Sequence, residues 1–239
     1  MKPGTGLHEI RQIEGTLARL DLCEGVSGQT VRQLALQARL LRVSRGRTIV
    51  RRGERPAGVF AVVHGAVKAR LQQADGDELI LGLLGPGGTF GKAACVLDHP
   101  SKVDLVALEE SLVVEIDPAA MSAQMARDPR LARNVTSALA AKAEALMTEF
   151  EHSMLPALQR LAAYLDSIAE PTPAPEVWTA RLPVSKTVVA ARLGMKKETL
   201  SRLLQRLVRR GLIAVAQRDI TILDRAGLAQ ASSSPARGA

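Results

Sequence analysis

The sequence predicts an α+β chain: an amino-terminal β-roll of the jelly-roll kind, then a long helix, then a carboxy-terminal winged helix-turn-helix. Three observations predict it. Short Val- and Leu-rich runs, punctuated by His64-Gly65, Asp75-Gly76 and Gly85-Pro86-Gly87-Gly88, fill the stretch from Thr48 to Ile116. Apolar residues then recur at helical spacing from Val135 to Met154. Last, two short amphipathic segments flank Gly194 ahead of a pair of strand-like runs.

The elements follow in order. Residues 1–40 read as helical, with Leu7 to Leu20 followed by Ser27 to Leu40, where Val31, Leu34, Ala35 and Ala38 repeat at helical spacing. The runs TIVRRGE, GVFAVVHGAVKARLQQADGDELILGLLGPGG and VDLVALEESLVVEI then alternate with turn residues, as a β-roll requires. Strand patterning stops near Ile116, where Asp117 is placed to cap a helix and Pro118 to occupy its first position.

The long helix is expected from about Leu131 to Met154. In it Val135, Leu139, Ala143, Leu146, Phe150 and Met154 succeed one another in steps of four, four, three, four and four. Such a stripe must be covered, either by the roll of its own chain or by its twin in a dimer. Its length, well beyond a typical ~11-residue globular helix, favours the dimer. A second segment, Leu155 to Ala169, leads to EPTPAPE, whose alternating prolines favour an extended linker and a domain boundary. The division expected is 1–127 for the first helices and the roll, 128–169 for the dimerisation helix and its successor, 170–231 for the winged helix-turn-helix, and 232–239 for a disordered tail.

The segment LPVSKTVVAARLGMKKETLSRLLQRLVRRGLI carries the clearest chemistry. Ser185 is a plausible cap for a short helix through Leu193, Gly194 supplies the turn, and a second helix runs from about Lys197 to Arg209. Leu200, Leu203, Leu204, Leu207 and Val208 form its expected buried face, opposite Glu198, Ser201, Arg202, Gln205 and Arg209. That exposed set suits the major groove, since Arg can donate two bonds to guanine and Glu can accept one from cytosine. Ser185 and Lys186 are placed for phosphate, with Lys197, Thr199, Gln205 and Arg206 as flanking contacts. LIAVAQ and DITILD, around Arg218-Asp219, read as a hairpin wing.

Composition narrows the function classes. The 239 residues are 46% hydrophobic and 23% charged, with no apolar run near the ~18 residues of a membrane span and no export signal, so a soluble cytoplasmic protein is expected. Cys23 and Cys95 are too few for a disulfide framework or an iron-sulfur cluster. The net charge of +8 favours an acidic partner, and it is concentrated: Lys196, Lys197, Arg202, Arg206, Arg209 and Arg210 oppose the single Glu198. With aromatics at 2%, stacking platforms for single strands are scarce, so duplex DNA is the expected target. An enzyme is not expected, because His64, His99 and His152 are dispersed and no nucleophile-elbow sequence occurs. The glycine-rich loop Gly85 to Leu105 also fails both phosphate fingerprints: Lys92 is followed by Ala93, and Phe90 stands three residues past Gly87.

Taken together, GERPAGVFAVVHGAVKARL and GPGGTFGK in the roll and RLGMKKETLSRLLQRLVRRGLI in the reader resemble the Crp/Fnr family of bacterial transcription regulators. The resemblance implies a cyclic-nucleotide-binding-like roll, a homodimer joined along the central helix, a palindromic site and contact with RNA polymerase. Glu198, Ser201 and Arg202 fit the spacing of the Fnr type, which prefers TTGAT-like half-sites. Relatives that bind a cyclic nucleotide hold its ribose and phosphate through Gly-Glu and Arg-Ser pairs. The corresponding positions here are Gly91-Lys92 and Lys102-Val103, which remain the effector-pocket candidates while disfavouring cyclic AMP. The amino-terminal cysteine cluster of oxygen-sensing Fnr proteins is absent. PVSKTVVAARLG, KKETLSRLLQRL and RDITILD are similar to the Dnr branch, which implies nitric oxide sensing through haem, with His8 or His152 as the candidate axial ligand.

Overall fold

The structure is a computed structural model that describes residues 6–72, 76–173 and 177–233. It divides into two compact units, Met1–Leu71 with Leu81–Glu144, and Gln72–Ile80 with Ala145–Ala239.

The first elements are α1 (Leu7–Leu17), a 3-10 turn (Asp21–Cys23), α2 (Gly28–Leu36), β1 (Ala38–Val43), β2 (Thr48–Val50), β3 (Val59–His64), β4 (Val67–Gln72), β5 (Glu78–Leu84), β6 (Thr89–Phe90), α3 (Lys92–Leu97), β7 (Asp104–Ala107), β8 (Ser111–Ile116), α4 (Pro118–Arg127) and α5 (Pro129–Ser153). The strands form two four-stranded sheets, in the orders β1-β8-β3-β6 and β2-β7-β4-β5. Val50, Val67, Leu105 and Ala107 of one sheet meet Val43, Phe60, Val62, Phe90 and Val113 of the other in a common core. Within it the Phe60 and Phe90 rings stack with centroids 4.8 Å apart.

The outer face of the first sheet is covered too. Val59, Ala61, Val114 and Ile116 pack with Ile13, Leu17, Leu34, Met121, Leu131 and Val135 from the helices. Burial on both faces is why GVFAVV reads as a continuous apolar run rather than an alternating one. Cys23 lies in this helical core, and burial pushes its thiol up to about 11. Asp117 caps α4 through the Ala119 and Ala120 amides, with Pro118 in the first turn, as expected.

The expectation of helix through Leu40 is corrected. The second helix stops at Leu36, and Ala38–Val43 is the strand β1, paired antiparallel with β8. Arg39 stands opposite Glu115 in that register and grips its buried carboxylate from Nε at 3.2 Å and from Nη2 at 3.0 Å. The continuous pairing of Ala38–Val43 with β8, together with burial of Ala38 and Val43, outweighs the local helical spacing.

The second unit continues through α6 (Ala157–Ser167), β9 (Ala169–Pro171), β10 (Trp178–Arg181), α7 (Lys186–Arg192), α8 (Lys197–Arg209), β11 (Ile213–Ala216), β12 (Asp219–Ile222) and α9 (Arg225–Ser233). Its sheet runs β11-β12-β10-β9. The proline-rich segment is therefore no boundary. Pro171 of β9 pairs with Trp178 of β10, and Leu161 and Leu165 of α6 share one core with Leu182, Val189, Leu200, Leu204 and Ile220. Residues 174–176 of that segment lie outside the described residues. The expected tail is also corrected at its start: α9 extends through Ser233, anchored by the buried Leu228, by Arg225 lying 3.7 Å over the Trp178 ring, and by an Arg225–Asp166 ion pair at 2.9 Å. Residues 234–239 lie outside the described residues. Among those described, no helix is long and apolar enough to cross a membrane.

Candidate nucleic-acid interface

The site is assembled from α7, the turn after it and α8. Ser185 caps α7 by accepting from the Val188 amide at 3.4 Å. Gly194 then takes φ +61°, a left-handed conformation that frees the chain to turn into α8. Leu200, Leu204 and Leu207 are buried, so the helix is anchored by one face. Leu203 is only half-buried, and Val208 is 42% exposed, which corrects its placement in the buried face. Burial demands only a stripe about 100° wide, and Val208 falls at its margin.

Opposite that stripe Glu198, Arg202, Gln205 and Arg209 are exposed and Ser201 is half-buried. Lys197 and Arg206 are exposed, Thr199 half-buried, and at the start of α7 Ser185 is exposed and Lys186 half-buried. Among the described residues no charge on α8 is engaged in an ion pair. The helix thus offers a row of unneutralised donors beside one acceptor, Glu198, in its first turn.

The effector candidates lie in the first unit. Gly91 takes φ +85° before α3, and a Cβ there would come within 2.7 Å of the Gly58 carbonyl, so close backbone approach accounts for this glycine. Lys92 turns its amine back onto Thr89, donating to the carbonyl at 3.1 Å and also to the hydroxyl, and burial lowers its pKa. Lys102 is exposed, whereas Val103 packs against the core between the sheets and is held by Ser101, whose hydroxyl donates to the Val103 carbonyl at 2.7 Å. No hydrogen bond or ion pair links Gly91-Lys92 to Lys102-Val103 among the described residues.

The apolar stripe of α5 is divided. Leu131 and Val135 are buried in the core of the first unit, so Val135 is corrected from a dimer contact to a core residue of its own chain, whereas Leu139 packs against that core and is only half-buried. Leu146, Phe150 and Met154 are exposed at 41%, 63% and 70%, joined by Met147 at 70%, which lies off the strict stripe.

The histidines do not converge. His8 is exposed on α1 and His152 half-buried in the last turn of α5, while His64 is exposed and His99 sits 2.8 Å from the Pro100 carbonyl through Nδ1. Haem needs its axial imidazole inside an apolar enclosure. Among the described residues His8 is exposed, and Phe150 and Met154 beside His152 are themselves exposed, so neither histidine has the enclosure the group needs.

Residues 40–128 match the family model of the cyclic nucleotide-binding domain, and residues 159–231 that of the Crp-like helix-turn-helix domain. The chain is 23% identical over 217 residues to a CRP-like cAMP-activated global transcriptional regulator of Mycobacterium tuberculosis, covering 90% of this chain and 97% of that one. It is 29% identical over 202 residues to the transcriptional regulatory protein btr of Bordetella pertussis, with 80% and 79% covered. In fold it is similar to FixK2 from Bradyrhizobium japonicum, at a TM-score of 0.70 and 22% identity over 83% of this chain and 99% of that one. The two matched domains occur in the order of the two folded units and cover most of the sequence, and the chain belongs to the Crp/Fnr family of transcription regulators.

Proposed function

We propose that this regulator binds DNA as a homodimer, each α8 reading a TTGAT-like half of a palindrome, under the control of an effector sensed by the β-roll. The observation that carries the reading is the unpaired exposed face of α8, with Glu198, Ser201 and Arg202 aligned opposite the buried leucines. Arg202 has the fork for guanine O6 and N7, Glu198 accepts from cytosine N4, and Ser201 is small enough for close approach. Ser185 and Lys186 position the reader on phosphate, and Lys197, Thr199, Gln205 and Arg206 border it. The exposed Leu146, Met147, Phe150 and Met154 supply an apolar seam for the twin subunit, whose two-fold symmetry matches half-sites about one turn of DNA, ~34 Å, apart.

In this reading the effector shifts the population of dimers between DNA-competent and incompetent states, and bound dimers engage RNA polymerase. Of the two candidate lysines, Lys102 is exposed, and Lys92 already bonds to Thr89.

The test is binding of fluorescent duplexes carrying the TTGAT palindrome or its scrambled sequence. Arg202→Ala is expected to lose about 1–3 kcal/mol on the palindrome and far less on the scrambled duplex. Equal losses on both would remove the base-reading role of Arg202.

A further inference from the structure

We infer that Arg160 and Arg192 are positioning residues that set the spacing between half-sites by clasping α7 to the last turns of α5. The inference rests on the dimeric reader proposed above. Arg160, in the first turn of α6, donates from Nη1 to the carbonyls of Ser153 at 3.1 Å and Leu155 at 2.7 Å, and from Nε to the Leu193 carbonyl at 3.0 Å. Ser153 ends α5 and Leu193 closes α7, so one planar guanidinium holds the carboxyl ends of both helices. Terminal carbonyls lack partners within their helix and carry partial negative charge, which makes a cation the fitting clasp.

A second tie lies beside it. Arg192 of α7 donates from Nη2 to Oε1 of Glu149 on α5 at 3.0 Å, with the side chains only 28% and 35% exposed. Glu149 stands next to Phe150 in the stretch of α5 that exposes Leu146 and Met147, just ahead of the exposed Met154. Two residues beyond Arg192, Gly194 turns the chain into α8. Seam, clasp and reader all belong to the second unit, so the two arginines determine where α8 lies relative to the seam. Across a two-fold axis that position becomes the distance between the two readers. The fork of a guanidinium reaches carbonyls in different directions, which a lysine ammonium on a flexible stem does not hold fixed.

The experiment measures binding of the full chain to duplexes with a single half-site, a scrambled sequence, or two TTGAT half-sites at spacings varied by single base pairs. The unmodified chain is expected to show one spacing optimum. Glu149→Arg and Arg192→Glu are each expected to flatten that preference by about three- to tenfold while single half-site affinity stays within about twofold. The double exchange E149R/R192E is expected to restore it. Arg160→Lys is expected to flatten it in the same direction. Fluorescence of Trp178, the one tryptophan, reports that the second unit stays folded. An unchanged spacing profile in folded single variants, or no rescue by the exchange, overturns the inference. If the unmodified chain binds TTGAT and scrambled duplexes alike, the base reading falls and this inference with it, a failure recognised before any substitution is made.

Discussion

Over its first turns α5 sends Leu131 and Val135 into a core shared with Ile13, Leu34 and Val114, whereas over its last turns Leu146 and Phe150 are exposed, followed by the exposed Met154 just past its end. Apolar residues recur in steps of three or four along the whole helix, and the division between the two units falls inside it, after Glu144. Periodicity therefore identifies which side of a helix must be covered but not by what. The first half finds its cover in its own chain. In the second half Leu146, Met147 and Phe150 stay exposed among the described residues, which is why the twin subunit is proposed to pack there.

Three substitutions test that contrast. The largest effect is expected from Leu131→Ala, which removes a fully buried side chain and should cost about 2–5 kcal/mol in denaturant unfolding of the first unit. Phe150→Asp is expected to leave unfolding of the isolated subunit within about 0.5 kcal/mol, but to weaken self-association by on the order of 2–4 kcal/mol, seen as a halved mass in sedimentation. An unchanged mass would mean that the second half of α5 is not the seam.

The smallest effect concerns the capping of the buried half. Asp128 accepts from the Thr30 hydroxyl at 2.9 Å, from the Ser27 amide at 3.2 Å and from the Arg130 and Leu131 amides at 3.0 and 3.4 Å. These bonds, the Thr30 hydroxyl first, hold its carboxyl below the ordinary 3.8. With the folded value depressed, the stabilisation is complete above 3.8 and fades as pH falls through the folded value. Asp128→Asn should flatten the acid limb of stability against pH without altering self-association. An acid limb of unchanged shape would remove Asp128 from that role.

The reader was legible because its determinants are local. Ser185, Gly194 and the leucine spacing of α8 act within a turn or two of themselves, and the observed limits, Lys186–Arg192 and Lys197–Arg209, follow them closely. β1, β9 and β10 were not legible, since each is a strand only by virtue of a partner elsewhere, Glu115 opposite Arg39 or Trp178 opposite Pro171. The arginine clasp was hidden for the same reason, with Arg192 and Glu149 separated by 43 positions and no pattern joining them.

By itself, then, the sequence determined the order of roll, long helix and winged reader, and the face that α8 exposes, because capping, turn formation and amphipathic spacing are set by neighbouring residues. Only the tertiary structure decided that α6 belongs to the core of the reader, that the stripe of α5 is shared between a core and an open seam, and that Arg160 and Arg192 join α5 to α7. Burial and long-range pairing depend on which distant segments meet, and no local spacing encodes that choice.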